Sequence, residues 1–182
     1  MNKLEDNRNY KYGQFSTSKR GEYTIISKWI KNGSSVIDLG SGDGSLLKIL
    51  EREKNTKGVG VEISSSGVEA ARKKGIKSVV GEIDVKLPYR NKEFDYAICN
   101  VTLQMVMYPE VLIKEMVRIS KKQIVTFPNF AFVVNRLELL LKGGIPKFMI
   151  PGYDWFSTGH IHQLSINDFE TFCENNNIRI SK

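Results

Sequence analysis

Between Ser35 and Phe127 the chain alternates short runs rich in Val and Ile with stretches of helical period, and this alternation restricts its fold more than any other feature. The runs at 35–39, 58–63, 77–81, 94–99 and 123–127 read as strands. The stretches at 45–53, 65–74 and 109–120 read as helices. Leu46, Leu47, Ile49 and Leu50 turn inward in the first. The second opens on a Ser cap and stops at Gly75. The third starts at Pro109 and gathers Val111, Leu112, Met116 and Ile119 on one face. Strands joined through helices at this rhythm make a parallel sheet covered on both faces. Right-handed crossovers make it doubly wound. The expected fold is therefore α/β, in three layers, αβα.

The flanks extend this plan. Residues 1–18 read as a loose polar arm, with Tyr10, Tyr12 and Phe15 as docking points. A helix is expected over 19–31, because Tyr23, Ile26, Trp29 and Ile30 recur at threes and fours; Asn32-Gly33 ends it. After Pro128 the rhythm changes. Residues 131–141 read as a strongly apolar helix, either plain core or a partner surface. Residues 145–163 are irregular and rich in Pro, Gly and aromatics. A further helix over 165–175 opens on Ser165 with Asp168 three residues on, close to a capping box. Residues 178–180 should begin a sixth strand. The 182 residues suit one core, so the arm is followed by a single domain over 19–182 that lacks the final strand.

Composition excludes several function classes. The net charge is +7, but the Lys and Arg residues are scattered, in runs of three at most, with no basic run interleaved with aromatics. A solvated basic surface is expected, and no nucleic-acid partner. The longest uncharged apolar run, around 99–108, is interrupted by Asn100, Thr102 and Gln104 and falls far short of the roughly 20 residues of a membrane span. The polar N-terminus lacks the apolar segment of a secretory signal, so a cytoplasmic setting is expected. Cys99 and Cys173 read as structural thiols. His160 and His162 have no nearby third ligand, so no metal site is expected.

The first strand runs into Asp38-Leu39-Gly40-Ser41-Gly42-Asp43-Gly44. In such folds ligands sit beyond the carboxyl ends of the strands, and glycines let backbone amides approach them. The dinucleotide fingerprint is G-x-G-x-x-G. Here the glycines fall as G-x-G-x-G, and Ser45 holds the place of the last one. Charge separates the readings further. Two like charges about 4 Å apart at an effective dielectric near 20 repel by roughly 4 kcal/mol. A carboxylate at Asp38 or Asp43 therefore opposes a pyrophosphate and favours S-adenosylmethionine, which carries a sulfonium, an ammonium and a single carboxylate. Glu62, ending the second strand, suits a ribose diol; this supports an adenosine nucleoside without choosing between the cofactors. Glu82 or Asp84 would read the adenine amino group while Ile83 packs on the ring. The expected cofactor set is Asp38, Gly40, Ser41, Gly42, Asp43, Gly44, Glu62, Ile63, Glu82, Ile83, Asp84 and Asn100. A nicotinamide oxidoreductase is the competing reading.

Residues 36–44 resemble the first motif of class I S-adenosylmethionine-dependent methyltransferases, and Leu87-Pro88-Tyr89 with Glu93-Phe94-Asp95-Tyr96-Ala97-Ile98 resembles their later segment. Thr102-Leu103-Gln104, Phe127-Pro128-Asn129-Phe130, Arg136-Leu137, Tyr153-Asp154-Trp155-Phe156, Ile161-His162 and Asp168-Phe169 narrow this to a resemblance to the methionine biosynthesis protein MetW family over about 34–180. The resemblance implies a Rossmann-like, seven-stranded methyltransferase fold, a part in methionine synthesis, and a link to homoserine O-acetyltransferase. Ser41 stands where the family has Cys. Methyl transfer is an in-line displacement in which the protein mainly positions its partners. Gln104, Asn129, Tyr153, Trp155, His160 and His162 are the candidates for a pocket holding a small-molecule acceptor, with Gln104, His162 and Tyr153 as candidate catalytic groups. Two functions follow: a methyltransferase, or a non-catalytic accessory subunit that senses S-adenosylmethionine and acts on the acetyltransferase.

Overall fold

A computed structural model describes residues 20–148, 154–155 and 158–181. They belong to two compact units, Met1–Thr126 and Phe127–Lys182. The first holds helix α1 (Gly21–Trp29), then β1 (Ser35–Leu39), α2 (Ser45–Lys54), β2 (Lys57–Glu62), α3 (Ser65–Lys73), β3 (Lys77–Val80), β4 (Phe94–Asn100), a 3₁₀ turn (Leu103–Met105), α4 (Pro109–Ile119) and β5 (Ser120–Thr126). The strands form one all-parallel sheet in the order β3-β2-β1-β4-β5. The order reverses between β1 and β4, as a doubly wound sheet requires.

Alternation along the strands divides the core. Val36, Tyr96, Ile98 and Ile124 face one side, where Ile26 and Ile30 of α1, Leu46, Leu47 and Leu50 of α2, and Ala71 of α3 close over them. Ile37, Leu39, Ala97 and Cys99 point to the other side and are fully buried. Right-handed crossovers place α4 there, burying Leu112, Ile113, Met116 and Ile119. The central strand β1 is buried along 36–39, as expected of a strand covered on both faces.

Local signals set the boundaries. Ser64 caps α3, its hydroxyl accepting from the Gly67 amide. Asn55, in the left-handed region, ends α2. Arg118 fixes the long 81–93 connection by donating to the carbonyls of Leu87 (2.9 Å) and Tyr89 (2.7 Å) while Glu115 holds its guanidinium.

Three expectations are corrected. Trp29 is exposed, because Tyr23, Ile26 and Ile30 already form the inward stripe of α1. Strand β5 starts at Ser120 rather than at 123: backbone pairing with β4 begins at Phe94↔Ser120 whatever the side chains, and Lys121 and Lys122 project from the sheet edge. Residues 178–180 join no ladder, and a strand exists only by pairing.

The second unit contains α5 (Val133–Lys142) and α6 (Ile166–Asn175). Gly143, left-handed, stops α5. Helix α6 has a full capping box: Ser165 Oγ accepts from the Asp168 amide (3.1 Å) and Asp168 accepts from the Ser165 amide (2.8 Å). Phe127 packs on Phe169 and Phe132 stacks on Phe148. The arm 1–18 lies outside the described residues. Among the described residues no helix is long and apolar enough to cross a membrane.

Candidate cofactor-binding site

The carboxyl ends of β1, β2 and β4 lie side by side at the reversal of strand order, where open α/β sheets bind ligands. The turn after β1 carries Gly40, Gly42 and Gly44 at φ 81°, 53° and 71°. A β-carbon disfavours this left-handed region, which accounts for glycine at alternate positions. Gly40 meets a second demand: a β-carbon there would lie 2.5 Å from the Thr102 methyl group. The Gly40 and Ser41 amides both donate to the Val61 carbonyl (2.8 and 3.1 Å), stitching the turn to β2.

Glu62 completes the stitching. Its carboxylate is buried and accepts from the Gly42 amide (2.8 Å) and the Ser64 amide (2.9 Å). A carboxylate offers about four lone-pair positions, so Glu62 keeps acceptor capacity for hydroxyl groups.

Asp38 lies at the centre, 2 % exposed. Its Oδ1 has no hydrogen-bond partner among the described residues. Burial, and then the nearby Glu62 carboxylate, push its carboxyl up to about 7. Its other titratable neighbours supply no cation. Tyr23 of α1 is pushed up to about 12, mainly by burial. Cys99 of β4 is pushed up to about 12 by burial and then by Asp38.

Asp43 is treated differently. Lys74, at the end of α3, forms an ion pair with it and also donates to Ser45 Oγ at 2.7 Å. Asp43 accepts from the Ser45 amide at 3.1 Å. Burial raises its carboxyl, but the Lys74 and Ser45 hydrogen bonds outweigh this and hold it below the usual range. On sequence alone Asp38 and Asp43 carry the same electrostatic weight. The structure corrects it: Lys74 offsets Asp43, and Asp38 is the acid left without a cation. Tyr23 and Lys74 went unnoticed because only the folded sheet brings α1 and α3 to this turn.

The remaining expected residues have varied surroundings. Ile63 is exposed beside Glu62, whereas Ile83 is buried. Glu82 is exposed; Asp84 Oδ2 accepts from the Met107 and Tyr108 amides, both at 3.0 Å. After β4, Val101 sits at φ 53°, an unfavourable place for a β-branched residue. Its amide donates to both the carbonyl and the hydroxyl oxygen of Thr126 (3.0 Å each), and that hydroxyl donates to Asn100 Oδ1 at 2.6 Å. Gln104 is buried and donates from Nε2 to the Val101 carbonyl at 3.0 Å.

The structure thus gathers Asp38, the glycine turn, Glu62, Asn100 and Gln104 in the first unit. Asn129, Trp155, His160 and His162 belong to the second unit, and Tyr153 lies outside the described residues. Asn129 accepts from the Ala131 and Ile166 amides (3.2 and 3.4 Å), a local structural task. Trp155 is exposed, and burial lowers the His160 imidazole. Among the described residues no three metal-ligating side chains converge.

Known proteins share this fold. A solved S-adenosylmethionine-dependent methyltransferase of Thermotoga maritima superposes with a TM-score of 0.63 at 25 % identity, covering 85 % of this chain and 68 % of that one. One from Aquifex aeolicus has a TM-score of 0.62 at 17 % identity, covering 87 % and 80 %, and shows the fold alone. The bifunctional methionine biosynthesis protein MetXA/MetW of Rhodopirellula baltica is 33 % identical over 169 residues, which are 86 % of this chain and 27 % of that protein. The chain spans between about a quarter and a half of the length of the curated relatives it matches. The family model for methionine biosynthesis protein MetW matches residues 20–182, so a doubly wound α/β fold with an acid-flanked glycine turn belongs here to a member of the MetW family.

Proposed function

We propose that the chain binds S-adenosylmethionine at the carboxyl ends of β1, β2 and β4 and transfers its methyl group to a small molecule in methionine biosynthesis. The observation that carries this reading is Asp38, a buried carboxyl with an unpartnered oxygen and no cation beside it, next to a turn of left-handed glycines. A ligand with an ammonium supplies what Asp38 lacks, and a carboxylate on the same ligand suits the amides of the turn. A pyrophosphate offers no cation. Glu62 would take the ribose hydroxyls, with Ile63 and Ile83 as apolar walls and Glu82 or Asp84 toward the adenine amino group. Asn100 and Gln104 line the β4 side.

When bound, the cofactor supplies an electrophilic methyl on a sulfonium. The chain's own residues then position rather than activate: Asp38 and the turn fix one end, Glu62 the other, and Gln104, buried and donating to the Val101 carbonyl, holds the turn after β4.

A second reading has its own support. The Rhodopirellula relative joins a MetW part to a MetXA part in one chain. Fusion favours a physical association with homoserine O-acetyltransferase, the partner that the family resemblance implies. In this reading the same site senses S-adenosylmethionine and no methyl group is transferred.

Isothermal titration with S-adenosylmethionine, S-adenosylhomocysteine and NAD tests the shared claim. Binding of the first two and not the third is expected. Glu62→Ala should weaken binding by at least about tenfold, since hydrogen bonds to a charged group contribute about 1.5–3 kcal/mol each. NAD binding alone, or an unchanged affinity in Glu62→Ala, would overturn it. Methyl release, against co-purification with the acetyltransferase and no release, separates the two functions.

A further inference from the structure

Asp38 carries a consequence beyond the assignment of a ligand. The side chain is buried, and its Oδ1 meets no donor among the described residues. The titratable groups that act on it are Glu62 from β2 and Tyr23 from α1, and Cys99 from the opposite face of β4; Asp43, farther along the turn, acts on Tyr23. Lys74, the amine at this turn, is committed to Asp43 and Ser45. A buried carboxylate with an acidic neighbour and no cation is unfavourable, so in the free protein the site keeps a proton in place of a cation. A ligand ammonium arriving there makes that proton redundant.

We infer that Asp38 couples ligand capture to proton release, so that the site exchanges a proton for the ammonium of its ligand and discriminates against nucleosides that lack one. This rests on the cofactor reading above and deepens it. The exchange balances: a neutral carboxylic acid becomes a carboxylate, the proton passes to solvent, and the ligand ammonium supplies the compensating charge. Specificity follows directly. A neutral nucleoside can fill the ribose and adenine positions, but it leaves Asp38 protonated and gains nothing from it. The free carboxyl is placed near neutrality, so the exchange operates over the pH range in which cells work. Affinity for the ammonium-bearing ligand should rise about five- to tenfold from pH 6 to pH 7.5, as the fraction of Asp38 already ionised grows.

The test is calorimetric and needs no turnover. The full chain is titrated with S-adenosylhomocysteine and with 5′-methylthioadenosine, which keeps the nucleoside and lacks the ammonium. Each titration is run at pH 6 and pH 7.5, in pairs of buffers with different ionisation enthalpies. The expected result is release of about 0.9 proton per S-adenosylhomocysteine at pH 6 and about 0.2 at pH 7.5, from the titration of a carboxyl near 7. Methylthioadenosine should release almost none. Asp38→Asn should abolish the release. Glu62→Gln should bind more weakly and, because it removes the acidic neighbour but not the burial, release a smaller fraction of a proton at pH 6, which guards against a misfolded Asp38 variant. Binding of S-adenosylhomocysteine without proton release overturns the coupling and leaves the cofactor reading standing. Equal release with both ligands, or full release persisting in Asp38→Asn, also overturns the coupling. Failure of the folded protein to bind either ligand overturns the coupling and the cofactor reading together.

Discussion

Two residues at the site set opposite requirements on stability. Asp38 has its carboxyl raised in the folded protein, to about 7. Its stabilising contribution is therefore complete below the ordinary carboxylate range, near 3.8, and is lost as pH rises through about 7. Asp38→Asn should then stabilise the ligand-free protein at pH 8, by up to about 4 kcal/mol, and change it little at pH 4. Urea denaturation at the two pH values checks this; a difference of the opposite sign refutes it. Gly40 answers to geometry rather than charge. Gly40→Ala meets both a left-handed φ of 81° and the Thr102 side chain. A loss of about 2–4 kcal/mol is expected, and Thr102→Ala in the same chain should recover the steric part but not the backbone part.

At the scale of elements, turns and caps carry measurable free energy. The turn leaving β4 keeps Val101 in a region that Asn tolerates far better. Val101→Asn should raise the unfolding free energy by about 1 kcal/mol in chemical denaturation. The cost of Val101 is offset locally by the double acceptance of its amide at Thr126, so Thr126→Val should expose the strain and destabilise the chain. The capping box of α6 is separable from the sheet. Ser165→Ala removes one partner of a reciprocal pair and should cost about 1 kcal/mol, seen first as faster amide exchange in the opening turn of α6.

For the whole molecule, the two compact units each hold one buried cysteine, Cys99 in the first and Cys173 in the second. Burial raises both thiols, so neither should react with a thiol reagent in the native protein. In a denaturant series followed by mass spectrometry, Cys173 should be labelled at lower denaturant than Cys99. Among its described residues the second unit has no two-sided core like the one that surrounds β1 and β4. Simultaneous labelling of both thiols would show that the units open together.

How much of this was legible in the sequence differs by kind of interaction. The alternation over 35–127, the Ser and Gly caps and the glycine spacing are local, and a strand or turn reads them from residues a few positions apart. That is why the five strands, the doubly wound layout and the places of Asp38 and Glu62 on the first and second strands could be read in advance. Compensation is not local. Lys74 reaches Asp43 across 31 positions, Tyr23 comes to the site from α1, and Thr102 decides that Gly40 must lack a β-carbon. Residues 178–180 have the composition of a strand but no ladder to join. The sequence alone determined which segments form the sheet and which turn holds the acids. Only the tertiary structure decided which acid stays uncompensated, because Coulomb and steric energies depend on distance in space and not on distance along the chain.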